Sequence, residues 1–227
     1  MTQKQKLYFD NQFMPVYSKG EELFNMISHA FGGLVAIIIL LMSMRRSVIS
    51  DLRAIEVISL VVYGFCAIIL YTASSVYHGL NDGLISKKIF RIIDHCTIYL
   101  LIAGTYTPIC IIALANTWQG SFILISEWIA CVLGIVINGL WLNKKIVKII
   151  SIFLYIFTGW LIVFIPGAIN YLSRMQFIYI LSGGILYSIG VIFYALGKNI
   201  KWTHSVFHIF CVLGTIAQFI GIYLMII

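Results

Sequence analysis

Five histidines punctuate a chain that is otherwise poor in ionisable groups: His29, His78, His95, His204 and His208. His204 and His208 are four residues apart, so on a helix they share one face. Two imidazoles on one helical face are a common way to hold a metal ion. His78 is the third candidate ligand. It closes the run Ser74-Ser75-Val76-Tyr77-His78, which places the Ser74 hydroxyl one turn earlier on the same face. Asp94 opens another apolar stretch. An unpaired carboxylate there would be costly, but a bound cation beside it would stabilise the anion. Three histidines with a fourth position open to water is the pattern of catalytic Zn2+. A carboxylate and a hydroxyl nearby can orient that water. The expected metal ligands are therefore His78, His204 and His208, with Asp94 and Ser74 as the catalytic pair. His29 and His95 read individually as polar residues at helix ends. Either could instead add a fourth ligand and close the site into a structural one.

These residues must be positioned by membrane helices. Of the 227 residues, 61% are hydrophobic and only 10% charged, with a mean hydropathy of +1.01. Globular chains average about 45–50% apolar and about 25% charged residues. Seven apolar runs approach the ~20 residues needed to cross a bilayer: 26–44, 55–77, 89–115, 122–142, 147–166, 176–196 and 205–227. None alternates apolar with polar residues as barrel strands do. Pro108 predicts a kink or tilt in the third. Asn81-Asp82-Gly83, Pro166-Gly167 and Gly197-Lys198-Asn199 mark loops. The fold class is thus all-α, an integral membrane bundle of seven transmembrane helices in a single domain, 1–227. Residues 1–25 form a polar N-terminal segment with no signal-like apolar core, so the first helix is expected to serve as an uncleaved anchor. The five cysteines all lie inside apolar runs and read as small buried hydrophobes rather than disulfide partners.

The net charge of +7 does not point to nucleic acid here, because the basic residues sit in short loops. Alternate loops differ sharply. Lys4, Lys6, Lys19, Lys87, Lys88, Arg91, Lys144, Lys145, Lys148, Lys198 and Lys201 fall on one side, and Arg45, Arg46, Arg53 and Arg174 on the other. The positive-inside rule puts the first group, and the N-terminus, in the cytoplasm, and the C-terminus outside. Trp118 and Trp128 then lie towards the outer interface, and Trp141 and Trp202 towards the inner one. All five histidines fall in the cytoplasmic leaflet, although none entered the charge comparison.

The order of these pieces resembles the haemolysin III group of the progestin and adipoQ receptor (PAQR) superfamily. The pieces are Glu22-x-x-Asn25-x-x-x-His29, Ser74-x-x-x-His78, Asp94 within Arg91-Ile92-Ile93-Asp94-His95, the run Ala103-Gly104-Thr105-Tyr106-Thr107-Pro108, and His204-x-x-x-His208. The resemblance implies seven helices in the cell membrane, an internal N-terminus, and zinc held by His78, His204 and His208 with Asp94 and Ser74 beside it. It further implies hydrolysis of a lipid amide or ester, ceramide-like in kind, with membrane lipids as the partners. Lys87, Lys88 and Arg91 are candidates for holding a headgroup, or simply determine topology. The alternative is a non-catalytic sensor or membrane-permeabilising protein whose zinc only ties helices together. A transporter would need midplane charge, for which Glu127 and Asn138 are the main candidates, although both read first as packing groups. Glu22 and Asn25 are expected to cap the first helix or to support the site from outside.

Overall fold

A computed structural model describes residues 14–197 and 200–227. Lys4, Lys6 and Lys198 of the charge comparison, and Asn199 of the sixth loop, lie outside the described residues. Every regular element among those described is helical. In chain order they are α1 (Lys19–Ile49), α2 (Ala54–Gly79), α3 (Ile85–Pro108), a π-turn (Ile109–Ala113), α4 (Trp118–Trp141), α5 (Lys145–Gly159), α6 (Leu161–Phe164), a 3-10 turn (Ala168–Tyr171), α7 (Arg174–Leu196) and α8 (Thr203–Tyr223). Among the described residues six spans are long and apolar enough to cross a membrane: α1, α2, α3 with its π extension, α4, α7 and α8.

The run 147–166 is divided between α5 and α6 at Trp160. The Tyr106 hydroxyl enters the helical ladder at that point. It donates to the Gly159 carbonyl (2.9 Å) and accepts from the Ile162 amide (3.3 Å). A side chain inserted in this way is a recognised cause of a helix break. Pro108 is not a terminator: α3 runs through it and widens into the π-turn, where the Leu114 amide reaches the Ile109 carbonyl. Gly83 and Gly167, both with positive φ, make the turns expected at those sites.

The first helix begins at Lys19, seven residues before its apolar run, because Ser18 and Glu21 form a capping box. Residues 19–25 are therefore helical, and Ser18 rather than Asn25 caps the start. Along α1 the buried residues are Glu21, Asn25, His29, Gly32, Ala36, Ile39, Ser43 and Ser47, at steps of three and four. Leu23, Ile27, Phe31, Leu34, Ile38 and Leu41 face outward. Polar groups inside and large hydrophobics outside is the arrangement a hydrocarbon solvent selects.

The chain closes on itself where α8 packs against both α7 and α1. Polar bonds fix this junction. The Thr215 hydroxyl lies 2.6 Å from both the Tyr71 and the Tyr187 phenol oxygens, joining α8 to α2 and α7. Tyr71 also donates to the Cys211 carbonyl (3.0 Å). Its ring fills the space over Gly32, where a Cβ would come within 2.5 Å of it. At the far end, Arg46 and Ser50 donate to the Ile226 carbonyl and pin the C-terminal residues beside the end of α1. The histidines gather at the opposite end.

Candidate metal centre

His78 ends α2, and His204 and His208 share the first turns of α8. Their side chains converge in the interior: all three are buried, at 3%, 7% and 1% exposure. The Nε2 atoms of His78 and His204 are 3.4 Å apart, and those of His204 and His208 3.2 Å. Each residue brings a ligand atom within 4.8 Å of the other two. Tetrahedral ligands about 2.0–2.1 Å from zinc stand about 3.3–3.4 Å from one another. The donor set and spacing therefore fit a metal ion of that kind.

The backs of two rings are held from α1. The Glu22 carboxylate lies 2.6 Å from His78 Nδ1, and its other oxygen accepts from Lys87 Nζ at 2.6 Å. Lys87 also pairs with Asp82 at 2.8 Å. An Nδ1–H donated to Glu22 leaves the His78 Nε2 lone pair pointing at its two neighbours. His208 Nδ1 lies 3.3 Å from the Asn25 carbonyl, which imposes the same tautomer. The Asn25 side chain accepts from Ser205 (2.7 Å), so this residue braces α8. Tyr17, just ahead of α1, stacks on His204 with ring centroids 4.9 Å apart. Burial, above all, raises its phenol pKa and keeps it neutral.

The other two histidines lie at the same end but outside the converging set. His29 stacks on His208 at 3.6 Å, and neither of its ring nitrogens has a partner among the described residues. His95 is held by the Arg91 carbonyl (2.9 Å) and the Tyr194 hydroxyl (3.3 Å). Ser74 and Asp94 come from the neighbouring helices α2 and α3. Both line a cavity of about 110 Å3 whose walls include His204 and His208. A second cavity of about 120 Å3 shares Leu70, His95, Ile98, Tyr194, Phe207 and Cys211 with the first. It extends between α3, α5 and α7 to Trp160 and Gly184, and its lining is overwhelmingly apolar.

The residues from Tyr17 to Phe219, which carry all of this machinery, match the family model described as "Haemolysin-III related". The chain belongs to the haemolysin III family. It is 35% identical over 202 residues to the "Hemolysin-3 homolog" of Bacillus subtilis (strain 168), covering 88% of this chain and 91% of that one. It is 34% identical over 203 residues to "Hemolysin-3" of Bacillus cereus, covering 88% and 89%. A more distant match, 24% over 181 residues and covering 74% and 70%, is the human "Monocyte to macrophage differentiation factor". That match fits the wider PAQR superfamily.

In this haemolysin III protein, several expectations shift with the geometry. Lys87 is occupied by Glu22 and Asp82 rather than open to a headgroup, while Arg91 lines the histidine cavity. Asn138 is a packing residue, bonded to Ser151 (2.7 Å) and Tyr155 (3.1 Å). Glu127 is buried in α4, and its Oε1 has no partner among the described residues. All five cysteines are buried and free. Tyr17 escaped the sequence reading altogether, because it precedes every apolar run.

Proposed function

We propose that this haemolysin III protein is a zinc-dependent intramembrane hydrolase. It spans the cell membrane seven times, with α5 and α6 together forming the fifth crossing and the histidine end facing the cytoplasm. Its substrate is a lipid amide or ester, ceramide-like in kind. The observation that carries this reading is one of adjacency. Two of the three converging imidazoles, His204 and His208, line one cavity with Asp94 and Ser74, and the apolar chamber shares part of its wall with that cavity. Ligand sites of this kind are mostly apolar with a few convergent polar groups.

Zinc held by His78, His204 and His208 would supply Lewis acidity, polarising a carbonyl and bringing the pKa of water down to about 7. The chain's own residues supply the rest. Glu22 and the Asn25 carbonyl lock two imidazoles in the ligating tautomer. The chamber between α3, α5 and α7 takes the acyl chain and excludes bulk water from the polar end. Asp94 accepts the proton that water loses on attack and returns it to the leaving nitrogen or oxygen. Ser74 lines the same cavity as Asp94 and orients the water for attack.

The same three imidazoles also cross-link α2 and α8, which is what a purely structural metal does and what the non-catalytic reading requires. Asp94→Asn separates the two. It keeps the size of the side chain but removes the base, so at saturating zinc it should retain the metal and lose about 10²–10⁴-fold in chelator-sensitive turnover of ceramide-like amides. Full turnover in Asp94→Asn would sink the mechanism. Loss of zinc in the same variant would point to a closed, structural site.

A further inference from the structure

Arg91 is 3% exposed, yet its Nη1 has no hydrogen-bond partner among the described residues. A buried guanidinium donor left unpaired is costly, and the residue that carries it lines a cavity. The cavity it lines is the histidine cavity, and Lys148 of α5 lines the same space. The two cations come from different helices. One carboxylate, Asp94, shares the cavity with them.

The order of residues along the two helices gives the site a direction. On α5, Lys148, Ile152 and Ile156 follow at four-residue steps; the first lines the histidine cavity and the other two line the apolar chamber. On α3 the succession is Arg91, then Asp94 and His95, then Ile98, and then Leu101 and Ile102 in the chamber. Positive charge, reacting groups and apolar chamber are therefore stacked in that order. Neither Arg91 nor Lys148 belongs to the chamber. A ligand lying along this axis has its acyl chain on one side of Asp94 and an anion on the other. A free fatty acid does not match, because its charge sits at the carbonyl carbon, level with Asp94. A phosphate a few bonds beyond the scissile carbonyl does match.

We propose that the lipid taken by this site carries a phosphate headgroup, seated on Arg91 with Lys148 beside it. This names the substrate class for the hydrolase reading above and rests on it for the role of the histidines. A guanidinium suits the task because its planar fork meets phosphate oxygens in pairs.

The test compares two lipids that differ only in the phosphate, lysophosphatidic acid and the monoacylglycerol of the same acyl chain. Their binding to the purified full-length protein in neutral detergent is measured by native mass spectrometry. Lysophosphatidic acid should bind at least about tenfold tighter, the least that one charge-assisted hydrogen bond contributes. Arg91→Gln should weaken it about ten- to hundredfold and leave monoacylglycerol binding unchanged. Lys148→Gln should weaken it less, in the same direction. If Arg91→Gln binds neither lipid, the Lys148→Gln variant decides, and an unchanged preference there overturns the proposal. Equal binding of the two lipids by the unmodified protein also overturns it. So does inorganic phosphate that binds as tightly as lysophosphatidic acid, because the site would then serve a free anion. Binding is read without turnover, so the two readings fail separately. Intact phosphate preference without zinc-dependent hydrolysis sinks only the hydrolase reading, and hydrolysis without preference sinks only this one.

Discussion

Glu22→Gln is the substitution that most directly tests how the centre is held together. The Glu22 carboxylate serves two donors at once, His78 Nδ1 and Lys87 Nζ, each at 2.6 Å. A glutamine amide has one acceptor oxygen and one donor nitrogen. The Lys87 ammonium, whose side chain is 4% exposed, should claim the oxygen, since its other partner, Asp82, is 79% exposed and well solvated. The amide nitrogen would then face His78 Nδ1, which must become an acceptor. Its proton moves to Nε2, the atom that faces His204, and the ring can no longer ligate. Loss of such an outer-shell partner typically costs about 10–100-fold in metal affinity. The assay is zinc titration of the metal-free protein against a chelator of known affinity. Adding Lys87→Met should recover part of the loss, because the introduced amide oxygen is then free to turn to His78. Unchanged zinc affinity in Glu22→Gln would refute the proposed tautomer control.

Two further outcomes follow from the helices themselves. Gly32→Ala should lower the thermal midpoint in detergent. The added Cβ meets a Tyr71 ring whose hydroxyl is fixed by Cys211 and Thr215, and overpacking of about 1–3 kcal/mol outweighs the gain of up to about 1 kcal/mol in helix propensity. An unchanged midpoint would show that the ring yields. Cysteines placed in the 79–88 and 198–203 loops should resist impermeant reagents in intact cells, while the 167–175 loop reacts; the reverse pattern would invert the topology.

Much of the centre was legible from residue type and helical depth. His204 and His208 had to share a face, and charge placed His78 and Asp94 at the same end, where they are found. The connections between helices were not legible. Glu22 and His78 are 56 positions apart, and nothing local to either reveals that they touch. The helix start was misjudged for a different reason. The Ser18–Glu21 capping signal is present in the sequence, but the extent of the apolar run alone set the boundary at 26. The break at Trp160 was invisible because its cause, the Tyr106 hydroxyl, belongs to another helix. Lys87 looked like a topology or headgroup residue because only tertiary structure brings Glu22 and Asp82 to it.

The most direct measurement is the zinc content of the purified protein and of His78→Ala, His204→Ala and His208→Ala, determined by elemental analysis after equilibration with limiting metal. One zinc per chain in the unmodified protein is predicted, with a sharp loss in each of the three variants, since a tetrahedral site gives up one of few strong ligands. Zinc retained at the same level in all three would contradict the assignment of the centre.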